Sequence, residues 1–191
     1  MISGNLPNAL LGYTISLLDR AYEVADRCGE LGLGSYSVIV GPHLRHVIEH
    51  YEALLPALRA NDSAPQLPLV DYDARARDHR VERDCGVAQM RLRVLQTSLQ
   101  NLRSSLAPLL DRVVNVRSLI GDAGQTELTT ESTIARELTF LASHTVHHFA
   151  LLEALAGAQG KSFGVNFGRA PATVANDRMQ GEHFELDPIG A

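Results

Sequence analysis

Four stretches of the chain carry apolar residues at three- and four-residue steps, the period of an amphipathic helix. The first runs from about Asn5 to Glu30, with Leu10, Leu11, Leu18, Ala21, Tyr22, Ala25 and Cys28 on one face. Gly29, Gly32 and Gly34 then end it in a loop. The second starts at Ser37 or Gly41 and reaches Ala60, with Val40, Leu44, Val47, Tyr51, Leu54 and Leu58 as its stripe. Pro42 suits its first turn, where a missing N–H costs little. The third, about Val81 to Leu110, carries Val87, Met90, Val94, Leu95, Leu99, Leu102 and Leu106, and Pro108 marks its end. The fourth, about Glu131 to Ala158, is the clearest. Ile134, Leu138, Leu141, His144, His148, Leu151 and Leu155 trace one seam, Thr130 or Ser132 can cap it, and Gly157 and Gly160 stop it.

The remaining segments read differently. Asn61, Asp62 and Ser63, then Pro65, Pro68 and Asp71-Tyr72-Asp73, make 61–78 turn-rich. In 111–130, Val113-Val114-Asn115-Val116 is β-prone, Gly121-Asp122-Ala123-Gly124 is a turn, and the residues after it alternate weakly. That pattern predicts a small hairpin. The tail from Lys161 to Ala191 is rich in Gly, Asn and Pro and reads as ending without a helix. The expected fold is therefore all-α: a four-helix bundle with a long crossover connection and a small β-hairpin before the last helix. Residues 1–160 form the bundle domain, and 161–191 form a tail strapped over it or partly disordered. The order of the helices permits up-down-up-down packing or a crossover variant.

Composition narrows the class. The chain has 191 residues, 45% hydrophobic and 20% charged, as expected of one soluble globular domain. Its formal net charge is -5 and it has no basic run, which argues against a nucleic-acid partner. No apolar run reaches ~18 residues, so no membrane span is expected. Met1 to Asn8 lacks a signal-peptide pattern, which points to the cytoplasm. Cys28 and Cys85 have no CxxC spacing and read as reduced thiols.

Six of the eight histidines fall into two clusters: His43, His46 and His50, then His144, His147 and His148. Imidazole is a common metal ligand at neutral pH. His144 and His148, at i and i+4, stand where the seam calls for apolar residues. A buried ring without a partner costs roughly 1–3 kcal/mol, and one metal ion would satisfy both. A third ligand can come from the second helix, but spacing does not choose among His43, His46 and His50. His147 lies about 60° off the seam, where it meets either the second layer of the site or solvent. His79 and His183 are isolated and read as surface residues. Three imidazoles suit zinc, nickel, iron and copper alike.

The segments Gly41-Pro42-His43-Leu44-Arg45-His46-Val47-Ile48-Glu49-His50-Tyr51 and Ser143-His144-Thr145-Val146-His147-His148-Phe149 resemble the DinB/YfiT-like superfamily. So do Asp71-Tyr72-Asp73-Ala74-Arg75-Ala76-Arg77 with Val81-Glu82, and Phe167-Gly168 followed by Ala170-Pro171-Ala172-Thr173. Arg169 departs from the tail pattern, which has an apolar residue there. Members are metal-binding four-helix bundles, and the resemblance implies His46, His144 and His148 as ligands of a divalent zinc, nickel or iron ion. Some relatives are thiol S-transferases. Others form the metal-binding N-terminal domain of sulfoxide synthases, whose catalytic partner domain this chain lacks.

The expected function is thus a metal-dependent reaction on a low-molecular-weight thiol, by a chain expected to form a homodimer. Tyr72 and His147 are candidate proton shuttles. Arg75 and Arg77 could grip a substrate carboxylate in a fork. Against this, Asp73 could cap the third helix while Arg75, Arg77 and Glu82 form ion pairs that lock the loop. Two other readings of the clusters are a metal-stabilised bundle without catalysis, and a metal-free, hydrogen-bonded group of histidines.

Overall fold

The computed structural model describes residues 6–28, 36–60 and 65–185. The expected loop glycines Gly29, Gly32 and Gly34 lie outside them, as do the turn residues Asn61, Asp62 and Ser63, most of the N-terminal segment and the end of the tail. In chain order the elements are α1 (Leu6–Arg27), α2 (Val40–Arg59), β1 (Leu69–Asp71), α3 (His79–Arg83), α4 (Cys85–Asn101), α5 (Leu106–Leu109), β2 (Val113–Ile120), β3 (Thr126–Thr133), α6 (Ile134–Gly157) and α7 (Pro171–Glu185).

The four long helices pack around one core. α4 and α6 each lie against both α1 and α2. α1 and α2 follow one another in the chain yet touch mainly these two, so they occupy a diagonal of the bundle. The core is aliphatic: Leu11, Leu18, Leu44, Ile48, Leu92, Ile134, Leu138 and Phe149 are fully buried. At about 25 cal/mol per Å² of apolar surface removed from water, such burial is the main force holding the helices together.

The architecture is not all-α. A three-stranded mixed sheet, ordered β1-β2-β3, packs beside the bundle. The expected hairpin is β2 and β3, paired antiparallel from Val113 opposite Thr133 to Ile120 opposite Thr126. β1 was not foreseen. It pairs parallel to β2, with Val70 opposite Val116, and both valines are buried. A parallel partner needs a long crossover, and here α3, α4 and α5 supply it.

Two further expectations are corrected. The third helix is three pieces, and aspartates cap the starts of the first two. The Asp78 side chain accepts from the Arg80 N–H, and that of Asp84 from the Gly86 and Val87 N–H groups. Each satisfies a helix start that would otherwise lack partners. Asp73 caps no helix; its carboxylate accepts from the Leu119 N–H at 2.8 Å. The tail does contain a helix, α7, which begins at Pro171. Between Pro171 and Gln180 all residues except Val174 are exposed, so α7 has no apolar stripe to announce it. Before it, Phe163 and Phe167 are buried, and Phe167 stacks on Phe149 with ring centroids 4.7 Å apart.

α2 and α3 meet at Gly41. A Cβ there would sit 1.9 Å from the backbone carbonyl oxygen of Glu82, which cannot swing aside. Gly41→Ala is therefore expected to destabilise the protein by about 1–3 kcal/mol, read as a lower midpoint in urea. An unchanged midpoint would show that the two backbones are not in close contact.

Candidate metal centre

α2 presents His43, His46 and His50 at three- and four-residue steps, and α6 presents His144 and His148 one turn apart. Because α2 packs along α6, the two sets interleave. The rings of His46, His144 and His148 have centroid separations of 5.0, 4.7 and 4.7 Å. His50 lies 4.2 Å from His46 and 4.6 Å from His144. One nitrogen from each of His46, His50 and His144 falls within 4.8 Å of the others, so these three histidines could hold a metal ion. Zinc–nitrogen bonds of ~2.05 Å in a tetrahedron separate the nitrogens by roughly 3.4 Å. Small side-chain rotations close that difference.

The histidines do not lie on the packed seam. The buried stripe of α6 runs through Ile134, Leu138, Leu141, Thr145, Phe149, Leu152 and Ala156. Leu151 and Leu155, expected inside, are exposed, and His144 and His148 are half-buried at the stripe's edge. The helix is thus turned by about one residue from the expected face. This leaves the imidazoles at a border where rings from α2 can reach them.

Hydrogen bonds restrict which nitrogens are free. The Nε2 of His144 is buried and has no hydrogen-bond partner, an atom that a cation would satisfy. Nδ1 of His50 lies 2.7 Å from the His46 carbonyl oxygen and so donates to it. Nε2 of His50 then accepts from Nη1 of Arg75 at 2.8 Å. Nδ1 of His148 meets Nδ1 of His43 at 2.9 Å. One of these two must be the donor. If it is His148, its Nε2 keeps a free lone pair, as in a metal-ligating histidine oriented by a neighbour. Spacing of nitrogens favours His50 as third ligand; hydrogen bonding favours His148.

The rings are held neutral. Burial, reinforced by His50, Arg75, His148 and His144, brings the pKa of His46 down to about 2. Burial and neighbouring histidines bring His148 to about 3. Burial brings His50 to about 4 against the opposing pull of its backbone hydrogen bond. His43 and His144 shift the same way, mainly through burial. Neutral imidazole is the form that binds a metal. The same shifts set a pH dependence. A base whose folded pKa is depressed takes up more protons when unfolded, so its stabilising effect is complete above the unfolded value near 6.5 and is lost as pH falls below it. The metal-free protein is expected to melt at progressively lower temperature from pH 7 to pH 4. A flat profile would show that these rings are not desolvated.

The other predicted site residues are placed unevenly. Tyr72 is buried beside the cluster, its ring stacked 5.4 Å from that of His50. Its hydroxyl donates to Oε2 of Glu137 at 2.7 Å, and burial and this carboxylate raise its pKa far above the ordinary tyrosine range. His147 is exposed, its ring 6.5 Å from that of His144 and 5.5 Å from that of His148. Arg75 enters the cluster. Arg77 is exposed and braces the loop, donating to the Arg75 carbonyl oxygen at 3.3 Å from a left-handed backbone with φ of 50°. Glu82 pairs with Arg45 and His79, not with Arg75 or Arg77.

Glu137 is a residue the sequence reading missed. It is fully buried and accepts from Tyr72, from Ser132 Oγ at 2.6 Å and from Arg136 Nη1 at 2.8 Å. The signal was present: Ile134, Glu137, Leu141, His144 and His148 recur at steps of three and four, so this acid shares a helix face with the histidines.

Among the described residues, no helix is long and apolar enough to cross a membrane. No family model matches the chain, and no solved structure does. The chain is similar to FK506-binding protein 5 of Rhizopus delemar, with 24% identity over 138 residues, which are 72% of this chain and 35% of that protein. It thus spans about a third of the length of the curated relative it matches, a likeness too slight to assign the chain to a family.

Proposed function

We propose that this chain is a DinB-like metal-binding protein whose histidine centre acts on a low-molecular-weight thiol. The observation that carries the reading is the convergence of neutral imidazoles from α2 and α6 around the buried, unpartnered Nε2 of His144. His46 and His144 would hold the ion, with His50 or His148 as third ligand. A divalent zinc, nickel or iron ion held there would supply Lewis acidity, lowering the pKa of a thiol or water into the neutral range. The chain's own residues would set the rest. The Phe140 ring, stacked 5.6 Å from that of His144, walls one side of it. Exposed His147 stands at the rim, where it can pass protons to solvent. The Tyr72 hydroxyl donates to Glu137 and so stiffens the wall beside His50.

The test is elemental analysis of untagged protein, followed by thiol-conjugation assays on metal-loaded samples. About one metal ion per chain and conjugation that fails in His46→Ala would support the reading. Stoichiometric metal without conjugation of any thiol would leave a metal-stabilised bundle, and no metal at all would overturn the proposal.

A further inference from the structure

Among the described residues, Arg75 is the charged side chain that hydrogen-bonds into the histidine cluster, and several anchors of the fold deliver it there. Asp71 accepts from the N–H groups of Asp73 and Ala74, both at 2.9 Å, closing a tight turn at the end of β1. Asp73 is tied to β2 through Leu119. The Asp78 N–H donates to Oε1 of Glu49 on α2 at 2.7 Å. The loop between these anchors projects Arg75 inward, with Nη1 2.9 Å from Nδ1 and 2.8 Å from Nε2 of His50.

Arg75 lacks what such a group normally has. Its Nε is buried without a hydrogen-bond partner, and among the described residues no carboxylate forms an ion pair with it. The acids whose field it feels are Glu49 and Asp73, and both are committed to backbone N–H groups. Arg77 adds further positive charge nearby, whereas the charge of Arg45 is paired with Glu82. A divalent ion held by the imidazoles would add positive charge near this guanidinium, which no carboxylate of the described residues pairs with. Neighbouring positive centres in a half-buried site repel, and a bound anion would relieve that repulsion.

We infer that Arg75 and the histidine centre together form a carboxylate site, and that the substrate is a small thiol bearing a carboxylate. A planar carboxylate matches the guanidinium fork, which offers Nε–H and an Nη–H in parallel. Both of its oxygens would take that fork at the edge of the histidine cluster, while His50, which accepts from Nη1, holds the guanidinium in place. Arg77 plays no direct part. This inference rests on the proposed metal centre, but it can fail separately from it.

The experiment uses the full chain loaded with cobalt, whose absorption reports ligand exchange. Acetate probes the carboxylate subsite, and imidazole probes the open coordination position without using a charge. In Arg75→Met we expect acetate to bind at least tenfold more weakly while imidazole affinity stays within twofold. Arg75→Lys, which keeps the charge and loses the fork, should fall between. Acetate binding that is unchanged in Arg75→Met, or weakened no more than imidazole, overturns the inference. A second arm needs no metal: acetate must shift the ¹⁵N resonance of the Arg75 Nε–H in the metal-free protein, and the absence of a shift also overturns it. Failure of cobalt to bind while that shift is present removes the metal centre and leaves the anion site standing. Melting temperatures of the variants show whether each remains folded.

Discussion

Replacing His144 with alanine is expected to abolish stoichiometric metal uptake while leaving the fold in place. Its Nε2 is the buried atom without a partner, and its ring touches those of His46, His50 and His148. Losing one of three ligands lowers affinity by far more than the 10–100-fold typical of residues that only orient a ligand. The fold should survive because His144 is half-buried at the edge of the stripe. Removing it also removes a desolvated polar group, which offsets part of the lost packing. Circular dichroism and metal analysis on the same sample check both halves. Companion variants identify the third ligand. His148→Ala is expected to match the loss in His144→Ala, whereas His50→Ala should cost about tenfold, because both nitrogens of His50 are already engaged. The reverse order would make His50 the ligand and require Arg75 to withdraw when metal binds.

Glu137→Ala is expected to be the most destabilising substitution in the wall of the site, by about 3–5 kcal/mol. Its carboxylate is fully buried and takes three donors from three directions: Tyr72 on the loop after β1, Ser132 on β3, and Arg136 on its own helix. Truncation strands two hydroxyls inside the protein, and each unmade buried hydrogen bond costs about 1–3 kcal/mol. Chemical denaturation gives the direct measure. Glu137→Gln, which keeps the shape and two acceptor lone pairs, should recover more than half of the loss. If the alanine variant unfolds within 1 kcal/mol of the parent, the three hydrogen bonds are not supporting the wall.

Much of this protein was legible before any coordinates. The stripe Val40, Leu44, Val47, Tyr51, Leu54 and Leu58 on α2 is buried throughout, because one uninterrupted helix meets the core along its length. The hairpin β2–β3 was legible from its turn residues and β-branched flanks, both local signals. β1 was not: its three residues acquire their role only by pairing with Asn115, Val116 and Arg117, which come after three intervening helices. α7 escaped notice because its exposed surface imposes no apolar period. Met90 and Val94 of α4, counted into the third stripe, are exposed, since the restart at Asp84 gives that helix its own facing.

The two histidine clusters show the same division. Spacing alone determined that each set shares a helix face, because a helix carries i, i+3 and i+4 to one side whatever surrounds it. Tertiary structure decided the rest. The contact of α2 with α6 brings the sets together, and the rotation of α6 places His144 and His148 at the border of the core. The sheet sends Arg75 inward and Arg77 outward, although they are two residues apart on a loop with no period to separate them. Local repeats follow from the backbone's own geometry, whereas burial, tautomer and unpaired charge depend on neighbours that arrive from distant parts of the chain.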